Sequence, residues 1–460
     1  MNSLNICHIH LLIIYFHNMK YNYVFVYICI IFSLNLTSFA DNTSPTHKIT
    51  TTTLENGIRV IVEEDHQQPA VVLNFVFHVG SIDEPRGITG ISLFLEHMMF
   101  KDTLSFDQET LSQAFANASS HYDGHVNKDY TQYAFETTPD HIESIFDLQS
   151  ERTMNLSLNE DNLNQEKHRL NEKQSPSIGD AEYIDEVWET IAYPSSGYQH
   201  PVQGWKEDLD NISISEVTKW YRTQYTGNNL SIIVVGDIDP KTVIELSKRY
   251  FYRLPKTNTR RPLYHEDKIA LPELRAEITT KSDFPHYFIG FKLPPVLPLN
   301  ELLGFEIMAD ILTNPFNGIS SKHLIDDSHL MSDIDIRFNA FSKTNGLFVI
   351  HGTPHQNTHF YSFKGKVLQM LNQLKEDDIN QRYLESLKTK IKIKHLYDQS
   401  SLKKKTARLV TLDHFNLHLN YYDQLNDTID HISRKDLIAL IDKYFLKDPK
   451  RILLSVKPND

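Results

Sequence analysis

Glu96 and His97 are adjacent residues in an apolar, helix-patterned run that extends from Gly90 to Thr103. They match the second part of the inverted motif His-x-x-Glu-His, in which two histidines four residues apart bind zinc and the glutamate is the general base. In this chain Leu93 stands where the first histidine is expected. A leucine side chain has no lone pair, so the motif lacks one metal ligand and keeps a carboxylate beside an imidazole.

The elements that position this motif predict an α+β fold. Residues 51–79 have the alternation of two strands, and residues 87–99 the pattern of the helix that carries the motif. Residues 229–236 predict a buried strand, and from residue 286 onward the order of strands and helices repeats coarsely. We therefore expect two homologous halves, each an antiparallel-rich sheet packed with helices: an N-terminal domain at 41–256, a linker at 257–275 and a C-terminal domain at 276–460.

The first 40 residues predict a signal peptide. Lys20 precedes an almost wholly apolar segment, Tyr23 to Leu36, and small residues at Ser38 and Ala40 suit cleavage. The apolar segment that precedes Met19 is not a normal positively charged start, so translation could begin at either Met1 or Met19. An uncleaved membrane anchor is the alternative, and it would be the only contact with a membrane. We expect a periplasmic or secreted protein.

Composition excludes several classes of function. The 460 residues carry a net charge of −13, and no Lys/Arg patch suggests a nucleic-acid partner. The two cysteines, Cys7 and Cys29, both lie in the predicted signal peptide. The mature chain would therefore have no disulfide, no thiolate zinc site and no cysteine nucleophile.

Six segments of the chain, taken in this order, resemble the pitrilysin/insulinase family of zinc metallopeptidases, which includes the mitochondrial processing peptidases. The likeness spans nearly the whole mature chain and is closest to the bacterial short-chain members. It rests on Leu54 to Val60, Val79 to Glu84, Gly90 to Thr103, Asp129 to Tyr133, His200 to Trp205 and Tyr225 to Asp239.

The resemblance implies zinc as the cofactor and assigns roles to three residues. Glu96 would be the general base, His97 a zinc ligand, and Glu172, about 75 residues after His97, the third ligand. A second glutamate of the family, seven residues before that ligand, aligns with Gln165, whose amide gives less basicity to the ligand it supports. Without these roles, Glu96 would be a helix-surface carboxylate and His97 a hydrogen-bonded core histidine. Glu172 would be an exposed carboxylate.

Two further positions bear on activity. His168 lies four residues before Glu172, on the same helix face, and could reach toward the vacant ligand position; otherwise it is a surface histidine. Active family members also carry an arginine and a tyrosine seven residues apart in the second half, and residues 324–332 contain neither.

Three functions remain open at this stage. The first is a catalytically impaired subunit that binds peptides or unfolded protein segments by strand addition and pairs, as a homo- or heterodimer, with a related active chain. The second is an active zinc endopeptidase with an altered ligand set, and the third is a stand-alone peptide-binding module.

Overall fold

The computed structural model of the protein describes residues 48–173, 181–257, 264, 273–314, 318–355, 357–447 and 450–459, without the side chains of 171–173 and 182. The predicted signal peptide (1–40), both cysteines and most of the predicted linker (257–275) lie outside the described residues. Within the described residues, no helix combines the length and the apolar character that crossing a membrane requires.

The first sheet has six strands in the order β1-β2-β6-β3-β5-β4. Its neighbours pair antiparallel except for β2 and β6, which are parallel. The strands are β1 (Ile49–Thr53), β2 (Arg59–Glu64), β3 (Val71–Phe77), β4 (His121–Val126), β5 (Thr131–Thr137) and β6 (Leu230–Gly236).

The second sheet has five strands in the order β7-β11-β8-β10-β9, and only β7 and β11 are parallel. Apart from the additional β1, the order and the position of the parallel pair repeat those of the first sheet. The strands are β7 (Glu273–Thr280), β8 (His286–Leu293), β9 (Met331–Phe338), β10 (Gly346–Pro354) and β11 (Arg451–Pro458).

The α-helices of the described residues fall into the same two groups. Those before the second sheet are α1 (Ile91–Met98), α2 (Gln108–Ala118), α3 (Ile142–Met154), α4 (Glu160–Lys173), α5 (Ala181–Ala192), α6 (Lys206–Asn211), α7 (Ile214–Gln224) and α8 (Pro240–Phe251). Those after its first strands are α9 (Leu299–Thr313), α10 (Phe360–Gln373), α11 (Gln381–Gln399), α12 (Leu402–His414), α13 (Leu425–His431) and α14 (Arg434–Ile441).

The central strands of both sheets are apolar on both faces. In β3, Leu73 and Phe75 face the helices of the first half, whereas Val72 and Val76 face the opposite side. A sheet with two apolar faces needs a cover on each side.

The second cover of each sheet comes from the other half of the sequence. Helix α12 places Leu409 and Val410 against the outer face of the first sheet. Helix α5 places Trp188 against the outer face of the second sheet, where its ring stacks on Phe288 with centroids 5.3 Å apart. The two halves therefore exchange one helix each.

This architecture confirms the predicted α+β fold with two homologous, helix-packed sheets. The exchange of helices was not predicted, because the apolar faces of α5 and α12 do not indicate which sheet they cover. The boundaries 41–256 and 276–460 remain predictions, although the strands of the two sheets fall on either side of the proposed linker.

Candidate functional site

Helix α1 begins at a glycine and is capped by a buried carboxylate. Gly90 has φ 89°, a left-handed conformation that favours glycine, and a Cβ there would lie 2.5 Å from the Gln203 carbonyl oxygen. The Glu84 side chain accepts hydrogen bonds from the backbone N–H of Gly90 at 2.6 Å and of Ser92 at 2.8 Å. Burial raises the pKa of Glu84 to about 8, although both hydrogen bonds favour the charged form.

Near the other end of α1, the Glu96 side chain is buried beside strand β4. Glu96 is 4% exposed, and a Cβ on Gly124 would lie 2.1 Å from Glu96 Oε1. The strand can pass this close only because residue 124 has no side chain. Burial raises the pKa of Glu96, while the charges of His97 and Arg152 oppose the shift.

Arg152 of α3 is a buried cation on the interior side of this site. It is 1% exposed, and its guanidinium carbon lies 4.8 Å from the ring centroid of Phe100 and 4.6 Å from that of Tyr133. Its Nε donates to Gln149 at 3.1 Å. Burial lowers the pKa of Arg152 to about 10, which leaves it charged at neutral pH.

The ring of His97 contacts two residues of α4. Nδ1 lies 2.7 Å from Oε1 of Glu166, a side chain that is 3% exposed. Arg169 donates from Nε to the same oxygen at 2.6 Å, and its Nη2 touches both Glu166 and His97 Nδ1. Burial alone raises the pKa of Glu166, but the hydrogen bonds from His97 and Arg169 outweigh it and lower the pKa to about 2.

Both side chains of α4 meet the His97 ring at the same nitrogen. Glu166 Oε1, which can accept, and Arg169 Nη2, which can donate, both contact Nδ1. Nε2 lies outside these contacts, 3.5 Å from Oε2 of Glu96. A carboxylate that holds one nitrogen of an imidazole and leaves the other free is the usual support of a metal-binding histidine.

The structure brings some of the sequence-predicted residues together. Glu96 and His97 are adjacent at the site, and Leu93 packs against the apolar core. Gln165, which was expected to support a ligand, is exposed, and its neighbour Glu166 makes that contact instead. Glu172 lies in α4, but its side chain is outside the described residues.

Sequence reasoning missed Glu166, Arg169 and Arg152. The spacing of Glu166 and Arg169, three residues apart with opposite charges, was a visible sign of a shared helix face. His168, a candidate replacement ligand, is exposed.

The described side chains do not fit a zinc ion. Among them, no group of three His, Cys, Asp or Glu side chains could hold a metal, and catalytic zinc normally takes three protein ligands. His97 offers one suitable nitrogen, Leu93 offers no donor, and the guanidinium of Arg169 lies on the opposite side of the imidazole ring.

Strand β4 gives the site an open edge. Among the described strands, β4 is the last of its sheet and pairs only with β5. Its outer backbone N–H and C=O groups can therefore pair with an added strand. Because Gly124 is in this strand, such an addition would run beside Glu96.

Two family models match the chain. The model described as "Insulinase (Peptidase family M16)" matches residues 59–187, which include Glu96 and His97. The model described as "Peptidase M16 inactive domain" matches residues 211–391.

Curated relatives are similar over much or part of the chain. "Zinc protease PqqE" of Helicobacter pylori is 22% identical over 93% of this chain and 96% of its own length. "Uncharacterized zinc protease YmxG" of Bacillus subtilis is 23% identical over 77% of this chain and 86% of its own length. "Mitochondrial-processing peptidase subunit beta" of Neurospora crassa is 22% identical over 46% of this chain and 44% of its own.

Solved structures share the fold. A protease from Helicobacter pylori superposes with a TM-score of 0.81 at 20% identity and covers 90% of this chain and 100% of its own. The periplasmic protease PqqL from Escherichia coli superposes with a TM-score of 0.72 at 17% identity, over 90% of this chain but only 48% of its own. The present chain thus corresponds to about half of that longer protein.

Proposed function

The chain belongs to the insulinase family of peptidases (peptidase M16), and we propose that it is an exported, catalytically impaired subunit that binds extended peptides. Its substrates or ligands would be peptides or unfolded protein segments. A related chain with a complete site would supply the cutting. The observation that carries this proposal is that a free sheet edge lies beside Glu96 while the metal site is incomplete.

Leu93 leaves the metal site one ligand short. Its side chain packs into the core of the first half at the position where the family motif has a histidine. The remaining ligand nitrogen, Nε2 of His97, cannot by itself hold zinc with the affinity of a three-ligand site. In a complete site a bound zinc ion would supply the Lewis acidity that activates water for peptide hydrolysis.

Strand β4 has the free edge to which a peptide would bind. An extended peptide that pairs with the free edge of β4 gains backbone hydrogen bonds without requiring a particular sequence. The peptide would then lie beside the Glu96 carboxylate, because β4 passes Glu96 at Gly124. This site would select for unfolded or extended segments rather than for a short motif.

A partner of the same fold accounts for the missing parts. The chain corresponds to about half of the longer PqqL protein, and one relative is named as a subunit of a processing peptidase. A second copy or a related chain would supply the other half of a peptide chamber. A signal peptide at 1–40 would bring this chain to the periplasm or outside the cell, where the partner would also have to be exported.

An active zinc endopeptidase with an altered ligand set is the second candidate. It is favoured by the orientation of His97, whose Nδ1 contacts Glu166, as one nitrogen of a metal-binding histidine contacts a carboxylate, while Nε2 remains available for a metal. Glu172 and a third ligand from elsewhere would complete that site, with Glu96 as the base.

One experiment separates the two candidates. The mature chain is purified without added metal, its zinc content is measured, and an unstructured peptide is assayed for binding and for cleavage with and without a chelator. We expect less than stoichiometric zinc, peptide binding, and no cleavage that a chelator inhibits. Stoichiometric zinc with chelator-sensitive cleavage, abolished in Glu96→Gln, would contradict the proposal that the chain is a catalytically impaired subunit. A cleaving partner is then sought by adding a related chain that has the complete motif.

A further inference from the structure

Helix α4 presents one face to His97. Glu166 and Arg169 both contact the imidazole, whereas Gln165 is exposed. At about 100° per residue, position 173 lies between positions 166 and 169 around the helix axis, whereas position 172 lies about 60° beyond 169. The face that meets His97 therefore runs through positions 166, 169 and 173.

This register changes which residue stands at the third-ligand position. The family pattern separates the supporting glutamate from the third ligand by seven residues. Glu166 holds the supporting place by direct contact, and the residue seven positions later is Lys173. Glu172 follows the exposed Gln165 by the same interval, so its position belongs to the neighbouring face.

The two buried carboxylates beside His97 each have a guanidinium nearby, so part of the negative charge is compensated without a metal ion. These carboxylates are Glu96 and Glu166, and the Asp123 carboxylate also acts on Glu96. Two guanidiniums are close to them: Arg169 bonds Glu166, and Arg152 lies on the interior side of Glu96. A divalent cation added beside His97 Nε2 would therefore gain less from Glu96 and Glu166 than from carboxylates without a guanidinium nearby.

We propose that Arg152 and Arg169 supply the two positive charges that a metal ion would supply, and that Arg169 keeps metal out of this site. Arg169 acts as a positioning residue, because it works through Glu166 and the His97 ring. The inference rests on the proposed function and deepens it. The loss of metal binding then involves three positions, 93, 169 and 173, rather than one.

Cobalt(II) binding tests this proposal, because cobalt bound by protein ligands in tetrahedral geometry has a visible absorption spectrum. Four proteins are titrated with the metal alone: the wild type, Leu93→His, Arg169→Val and the double variant Leu93→His/Arg169→Val. We expect no tetrahedral spectrum from the wild type or from either single variant. The double variant should bind at least about tenfold more tightly than Leu93→His, since neighbouring groups of one site couple by this order.

The register is tested by two additions to the double variant. Lys173→Glu should tighten cobalt binding further, whereas Glu172→Gln should leave it unchanged. Gln165→Val is the matched control, because this exposed neighbour on α4 should not affect the metal. Where Arg169→Val does not fold, Arg169→Gln removes the charge and keeps a polar side chain, and circular dichroism checks each variant.

The possible outcomes distinguish this inference from the proposed function. If Leu93→His alone binds cobalt stoichiometrically, and Glu172→Gln abolishes that binding, Arg169 does not exclude metal and the inference is overturned, while the impaired wild type stands. Stoichiometric metal in the wild type overturns both. Absence of peptide binding by a metal-free wild type overturns only the peptide-binding role.

Discussion

The Glu166 carboxylate contacts one nitrogen of the His97 ring and leaves the other nitrogen facing Glu96. Oε1 of Glu166 lies 2.7 Å from Nδ1, and Nε2 lies 3.5 Å from Oε2 of Glu96. A side chain from α4 therefore keeps the imidazole and the candidate base of α1 in register. This arrangement needs no metal ion to hold it.

Glu166 should make stability fall in acid. Its folded-state pKa of about 2 is below the ordinary 4.5, so its contribution is present above about pH 4.5 and is lost as the pH falls toward 2. We expect Glu166→Gln to be less stable than the wild type by about 2 kcal/mol at pH 6, and the difference to shrink by pH 3. Urea unfolding across this pH range measures it. A difference that is constant with pH would contradict the ion pair.

Glu84, in contrast to Glu166, should make the stability fall as the pH rises. Its folded-state pKa of about 8 lies above 4.5, so its contribution is fully present below about pH 4.5 and is lost as the pH rises toward 8. Glu84→Gln cannot ionise, but it loses one of two hydrogen bonds to the start of α1, at a cost of about 1 kcal/mol. The variant should be the less stable protein at pH 5, and the gap should narrow or reverse by pH 9. Chemical denaturation at both pH values tests this, and a gap that widens with pH would refute it.

Gly124 should tolerate no side chain. In Gly124→Ala the new Cβ would meet Glu96 Oε1 at 2.1 Å and the Phe100 ring at 2.7 Å. We expect a loss of about 1–3 kcal/mol and weaker peptide binding, because β4 must move away from α1. Gly365→Ala is the control, since nothing lies within 4 Å of its Cβ and α10 should gain slightly from alanine. Equal effects of the two substitutions on peptide binding would show that Gly124 is not part of the peptide-binding site.

Substitution of Lys405, a cation between the two halves, should lower the stability of the protein strongly. It is fully buried in α12, and its Nζ lies 2.5 Å from Asp65 and 3.7 Å from Glu63 in the first half. Lys405→Met would remove the ammonium that pairs with buried Asp65, at a cost of about 3–5 kcal/mol, while Glu63 keeps its pair with Arg408 at 3.5 Å. Lys390→Met breaks an exposed pair with Asp310 and should cost less than about 1 kcal/mol. Thermal and urea unfolding compare the two variants, and similar losses would contradict this ranking.

The sequence alone predicted the fold class and the Glu96–His97 pair, because apolar periodicity and motif spacing are local properties. It aligned the supporting residue with Gln165, one position from Glu166, because a spacing does not show which face of a helix turns inward. Arg152 was missed for a related reason. Nothing in a linear chain shows that a charged residue will be enclosed by the rings of Phe100 and Tyr133.

The exchange of α5 and α12 between the sheets makes the peptide link between the halves unnecessary for keeping them together. Each half would lose the cover of an apolar sheet face, including Trp188 on one side and Val410 on the other, if the two separated. A chain that is cleaved within 257–275 should therefore remain a noncovalent complex of its two fragments. Fragments of this kind should also reassemble after separate expression, in the way that complementing halves of a split protein do.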